Sequence, residues 1–177
     1  MPGRRPPSAG REQPSALDVA VRFLGTRPRS RWEVERRLAG DGIGEAEIAA
    51  AVERLTELGY LDDAAFARWW GEQRDRHHPR GRRMIDAELR QRGVPREVIE
   101  SYLAEHASPE RAPEDVSLPG TEEERAAVAL ADHLRGRPYP DEGKARQRLG
   151  MFLVRRGFDA DTVRTVLRRA AGEAASD

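Results

Sequence analysis

The stretch Leu89-Arg90-Gln91-Arg92-Gly93-Val94-Pro95-Arg96-Glu97-Val98-Ile99 decides the fold, because its pattern occurs three times in the chain. Aligned on Leu89, both Leu38 and Leu153 are followed four residues later by a glycine, so that Gly42, Gly93 and Gly157 coincide. An apolar residue comes at once after each: Ile43, Val94 and Phe158. The register persists through Ile48, Ile99 and Val163, and then through Val52, Leu103 and Leu167. Upstream, Trp70 precedes Leu89 by nineteen residues and Leu134 precedes Leu153 by the same interval, whereas Leu24 stands closer to Leu38 across a shorter loop. Apolar residues at helical spacing on either side of a glycine read as helix, turn, helix, with the glycine at the left-handed position that closes a helix. A recurrence of that pattern signals tandem structural units.

Start signals agree with this division. Ser30 with Glu33 forms a capping-box pattern, Asp62 or Asp63 can cap the next helix, Asp159 can cap the last, and Pro95 suits a first helical turn. The spacing predicts helices near 15–26, 30–40, 44–58, 63–77, 80–92, 95–106, 122–135, 143–156 and 159–171. The expected fold class is therefore all-α: three tandem three-helix repeats at 15–59, 60–106 and 122–171 in an elongated, curved body. Residues 1–14 and 172–177 are expected as disordered tails, and 107–121, with Pro109, Pro113 and Pro119, as a linker. A unit of about 45 residues buries little apolar surface by itself, so neighbouring units are expected to lean on one another.

Composition narrows the function classes. With no cysteine there are no disulfides or thiolate metal sites, and a reduced cytoplasmic setting fits. No apolar run reaches the roughly 20 residues that cross a bilayer, and the opening segment lacks the apolar stretch of a signal peptide. Formal net charge is zero, yet arginine supplies every basic residue except Lys144. Charge is also segregated: Arg68–Arg96 holds nine arginines against four acids, and Glu97–Glu124 holds nine acids against Arg111 alone. The four histidines, His77, His78, His106 and His133, lack metal-site spacing. There is no phosphate-cradling glycine loop and no nucleophile elbow, so neither catalysis nor a cofactor is expected.

Between the first two units runs Gly59-Tyr60-Leu61-Asp62-Asp63-Ala64-Ala65-Phe66-Ala67. This segment resembles the entry to the second repeat of RecX proteins. Arg27-Pro28-Arg29-Ser30 before Glu33 and Leu38 is similar to the family's first repeat, and Gly81, Ile85, Leu89, Arg92 and Gly93 to its second. The resemblance covers roughly Ala16 to Arg169 and is strongest over the first two units. It implies a monomeric, non-enzymatic regulator in the cytoplasm that binds the RecA filament on single-stranded DNA and restrains its recombinase, ATPase and co-protease activities in DNA repair and the SOS response. Physically, the motif reads as mainly structural: Asp62 and Asp63 suit free helix N–H groups, and Tyr60, Leu61 and Phe66 are expected to pack where two units meet.

Candidate binding residues lie on the middle helices. With Ile85 and Leu89 inward, Arg80, Arg83 and Arg90 are expected on the opposite side of the fifth helix; with Leu149 and Leu153 inward, Lys144, Arg148 and Arg155 point outward on the eighth. Two basic stripes suit a phosphate backbone or an acidic protein groove, and equally an ordinary solvated face. The second helix mixes Arg29 and Arg36 with an outward Glu33, so a uniform nucleic-acid track is not expected. Trp70 occupies a repeated core position; Trp32 and Trp69 suit packing, with base stacking as the alternative. Weak direct DNA binding, a helix-turn-helix regulator of duplex DNA and a helical adaptor for another protein remain open from the residues themselves.

Overall fold

The computed structural model describes residues 14–106 and 118–174. Most of the expected tail 1–14, most of the expected linker 107–121 and the end of the tail 172–177 lie outside the described residues. Residues 172–174, expected in a tail, are helical. Among the described residues there are nine helices and no strand. Unit 1 contains α1 (Ala16–Leu24), α2 (Arg31–Gly40) and α3 (Glu45–Glu57); unit 2 contains α4 (Asp63–His77), α5 (Arg82–Gln91) and α6 (Arg96–Glu105); unit 3 contains α7 (Glu122–Leu134), α8 (Gly143–Arg155) and α9 (Ala160–Ala174).

The repeated leucine and glycine act together at the end of each middle helix. The N–H of the residue after the glycine donates to the carbonyl of the aligned leucine: Ile43 to Leu38 at 3.2 Å, Val94 to Leu89 at 3.2 Å and Phe158 to Leu153 at 3.3 Å. This six-to-one bond needs a left-handed residue just before it, and Gly42, Gly93 and Gly157 have φ of 79°, 69° and 92°. Gly59, at φ 73°, ends α3 in the same way, with the Tyr60 N–H on the Leu55 carbonyl.

Each unit closes its own apolar core. Val34, Leu38, Val52, Leu55 and Leu61 fill the first; Phe66, Trp70, Ile85, Leu89 and Ile99 fill the second; Leu130, Leu149, Leu153, Phe158 and Val163 fill the third. The motif between units 1 and 2 thus divides its apolar residues, Leu61 to one core and Phe66 to the next. Tyr60 belongs to neither. It is 66% exposed, contrary to the expected packing, although the next residue, Leu61, is buried.

The units meet through helix ends. At the first junction the Ser30 hydroxyl, buried at the N-terminus of α2, donates to the Arg92 carbonyl at the C-terminus of α5. At the second, the Gly81 N–H at the N-terminus of α5 donates to the Arg156 carbonyl at the C-terminus of α8 at 2.9 Å. The three middle helices therefore stand head to tail in the order α8, α5, α2, with positive and negative dipole ends facing at both joints. With 13, 10 and 10 residues their summed helical length is roughly 50 Å.

A carboxylate clamps each joint. Asp63, the first residue of α4, accepts the N–H of Arg31, the first residue of α2, at 2.9 Å. Glu122, the first residue of α7, accepts the N–H of Arg82, the first residue of α5, also at 2.9 Å. The two aspartates of the motif thus have separate jobs. Asp62 caps its own helix through the N–H groups of Ala64 and Ala65, and Asp63 reaches back to the preceding unit.

Candidate binding face of the helix column

The six basic residues singled out from sequence do not form two equal stripes. Arg80 precedes α5, which starts at Arg82. Its guanidinium folds toward Glu88, 4.0 Å away, with Nε buried, so Arg80 does not point outward as expected. Arg90 is exposed but neutralised by Asp86 one turn earlier, at 2.9 Å. Arg83 is exposed and makes no close ion pair among the described residues, although its charge acts on Asp159. On α8 the picture reverses: Lys144, Arg148 and Arg155 are all exposed, and none has an ion pair among the described residues. They share an open trough of about 410 Å³ with Gln147 and Met151.

This difference follows from local sequence. The segment of α5 contains Asp86 and Glu88, each four or more residues from an arginine it can reach, whereas the whole of α8 contains no acidic residue. The α2 face differs again. Glu33 is not outward: it completes the capping box with Ser30 and pairs with Arg27 at 2.8 Å. Arg36 lies over the Trp32 ring at 4.9 Å, and Arg29 over Phe23 at 3.9 Å.

Several interactions had no clear sequence signal. The Trp70 ring lies within 3.7 Å of Arg92 and 4.4 Å of Arg74, while its N–H donates to Glu88, which also pairs with Arg74 at 2.7 Å. Trp70 is therefore a core residue with satisfied polar contacts, not a stacking platform for a base. Trp32 packs its Cβ and Cγ against Gly93, where a side chain would collide with it. Arg125 of α7 is buried against Asp75 of α4, with Nε to Oδ1 at 3.0 Å. Burial pushes the Asp75 carboxyl above the usual range despite that pairing. Burial has the same effect on the clamp residues Asp63 and Glu122.

Two further clefts lie at the second junction. One, of about 340 Å³, is lined by both members of the Asp75–Arg125 pair, Tyr102 and Glu122. The other is edged by His77, His78, His133 and Arg156. There Arg137 donates to the carbonyls of Leu134 and His133 at the end of α7, and Arg156 to that of Pro79 in the loop after α4, so these guanidiniums are occupied by backbone carbonyls. No group of three metal-binding side chains occurs among the described residues, and no helix among them is long and apolar enough to cross a membrane.

Family models place this architecture. Residues 16–55 match the first three-helix domain of RecX, 62–103 the second and 122–167 the third. The chain belongs to the RecX family. A protein named Regulatory protein RecX from Prosthecochloris aestuarii (strain DSM 271 / SK 413) is 35% identical over 154 residues, covering 86% of this chain and 91% of the relative. One of the same name from Mycobacterium sp. (strain JLS) is 34% identical over 160 residues, covering 88% and 81%. The crystal structure of RecX from Lactobacillus salivarius superposes with a TM-score of 0.70 at 17% identity, over 88% of this chain and 94% of that one. A second crystal structure of regulatory protein RecX gives 0.67 at 21% identity, over 85% and 70%. RecX relatives thus carry the name of regulators, and the third unit, where the sequence resemblance was weakest, matches its own RecX domain.

Proposed function

We propose that this RecX-family protein binds the RecA filament on single-stranded DNA and lowers its recombinase, ATPase and co-protease activities in DNA repair and the SOS response, acting as a cytoplasmic monomer without chemistry of its own. The units are taken as 15–59, 60–106 and 122–171. The observation that carries the reading is the head-to-tail column of α8, α5 and α2. Three middle helices joined end to end, with a summed length of roughly 50 Å, offer a longer contact than one three-helix unit to a protein filament. Arg83, Lys144, Arg148 and Arg155, exposed along it without internal ion pairs, supply the charge attraction. Arg80 and Arg90 contribute less, since each already faces a carboxylate.

The test adds the purified protein to RecA on single-stranded DNA and follows ATP hydrolysis. Hydrolysis is expected to fall as the protein is added; unchanged hydrolysis at saturating protein refutes the proposal, and tight duplex binding without RecA favours a DNA-binding regulator instead. Changing Lys144, Arg148 and Arg155 together to Glu is expected to weaken inhibition about tenfold at low salt and less at high salt, because exposed charges are screened. Changing Arg80, Arg83 and Arg90 to Glu tests the other stripe and is expected to act through Arg83.

A further inference from the structure

We infer that the outward face of α8 is a docking strip for an acidic amphipathic helix of a protein partner, with Met151 and Val154 at the centre of the contact. The inference rests on the filament-binding reading and deepens it, by assigning protein contact, rather than DNA contact, to unit 3. Lys144, Gln147, Arg148, Met151, Val154 and Arg155 follow the i, i+3, i+4, i+7 rhythm along one side of the helix, opposite the buried Leu149 and Leu153. From Lys144 to Arg155 the strip runs for roughly 16 Å, about three turns.

Its composition distinguishes the partner. Met151 is 51% exposed and Val154 46%, and they sit among the cations instead of apart from them. A hydrated phosphate backbone gains nothing by covering an apolar pair; an apolar ridge does, because covering it removes both surfaces from water. Met151 adds a flexible, polarisable side chain that adapts to the ridge it meets. The cations on either side, Lys144 and Arg148 before Met151 and Arg155 after Val154, ask for carboxylates flanking that ridge, and no acidic residue of α8 competes for them. A straight strip of this length on one helix is matched by another helix lying along it, its anchors three and four residues apart. The corresponding face of α5 lacks this character: Ala87 is small, and Arg90 is held by Asp86.

The experiment places the photoreactive amino acid p-benzoylphenylalanine at position 151, mixes the full chain with RecA filaments on single-stranded DNA and a slowly hydrolysed ATP analogue, irradiates, and sediments the filaments. The expected result is a protein adduct whose cross-linked peptide, mapped by mass spectrometry, comes from a helix with acidic residues beside an apolar one. Separately, Met151→Ser with Val154→Ser, both at exposed positions, is expected to raise the concentration needed for co-sedimentation about tenfold with every cation retained. An adduct on DNA, co-sedimentation without any adduct at position 151, or unaltered affinity of the double serine variant each overturns the docking strip while leaving filament binding standing. Failure of the unaltered protein to co-sediment overturns the filament reading, and the strip with it.

Discussion

The two junctions of the column join the same kinds of helix ends by different means. At the first, a side chain makes the link: the Ser30 hydroxyl reaches the Arg92 carbonyl, and Trp32 covers Gly93. At the second, backbone meets backbone. Gly81 lies directly against Gly157 and Phe158, and the Gly81 and Arg83 N–H groups go to the Arg156 and Gly157 carbonyls. Glycine stands where the first junction has serine, so the second joint is tighter and uses no hydroxyl. The second also has an ion pair, Asp75 with Arg125, in which both side chains are 9% exposed; no pair of such burial spans the first junction among the described residues. The carboxylate clamp and the glycine turn are common to both. The fold therefore repeats the clamp and the glycine turn, while the rest of each joint is solved locally.

The difference predicts unequal responses to mutation. The largest belongs to the buried pair: Arg125→Met leaves Asp75 without its cation in the joint and is expected to cost about 3 kcal/mol of unfolding free energy, whereas adding Asp75→Leu recovers most of it. Denaturant unfolding of the two variants checks this, and equal stability of single and double variants contradicts it. Next come the glycines. A Cβ on Gly81 collides with the Gly157 backbone, so Gly81→Ala is expected to cost about 2–3 kcal/mol by forcing the joint apart. Gly42 has φ 79° but open space around it, since the C-terminus of α2 is the free end of the column, so Gly42→Ala is expected to cost only the left-handed penalty of about 1 kcal/mol. Hydrogen exchange would locate the difference: loss of protection at the ends of α5 and α8 in the first variant, and only near α2 in the second.

How much of this was legible in the sequence varies with the range of the interaction. The nine helices among the described residues, the left-handed Gly42, Gly93 and Gly157 and the caps at Ser30 and Asp159 are local, and spacing alone reveals them, while it leaves Asp62 and Asp63 both open as the cap of α4. The head-to-tail column was not legible, because nothing within a unit says that Ser30 will find Arg92, sixty-two residues away. The basic stripes were half legible. Periodicity placed Arg83 and Arg90 outward, but pairing decides which charge is available: Asp86 takes Arg90 and Glu88 draws in Arg80, which a count of arginines conceals. Tyr60 was misplaced for a related reason. An aromatic beside core residues reads as core, yet Tyr60 is exposed while its neighbour Leu61 is buried. The apolar pair on α8 is not marked in the sequence, because single exposed apolar residues are ordinary on a helix surface.

The smallest effect tests whether the two clamps are equivalent. Asp63→Ala and Glu122→Ala each remove an acceptor from a helix N-terminus and are expected to cost about 1 kcal/mol. Asp63→Asn and Glu122→Gln keep a carbonyl oxygen in place, so they are expected to cost less. Burial raises both acids above the usual carboxylate range even though each accepts a backbone N–H. A carboxyl whose folded pKa is raised takes up its proton in the folded state first. Its contribution to stability therefore grows as pH falls into the window just above the ordinary carboxylate range, and is lost as pH rises through the folded pKa. Asp159, held below the usual range by the Thr162 N–H, acts in the opposite sense: its stabilisation is present above that range and is lost on acidification. The diagnostic quantity is thus the difference in unfolding free energy between the parent and the Asn/Gln double variant, followed from about pH 7 down to about pH 4. The parent should gain on the variant as pH falls, and half of that gain should remain in either single variant if the two joints are energetically alike. A difference that stays flat with pH would mean that the clamps act as hydrogen-bond acceptors alone, and unequal single variants would mean that the tighter second joint also sets the charge state of its clamp.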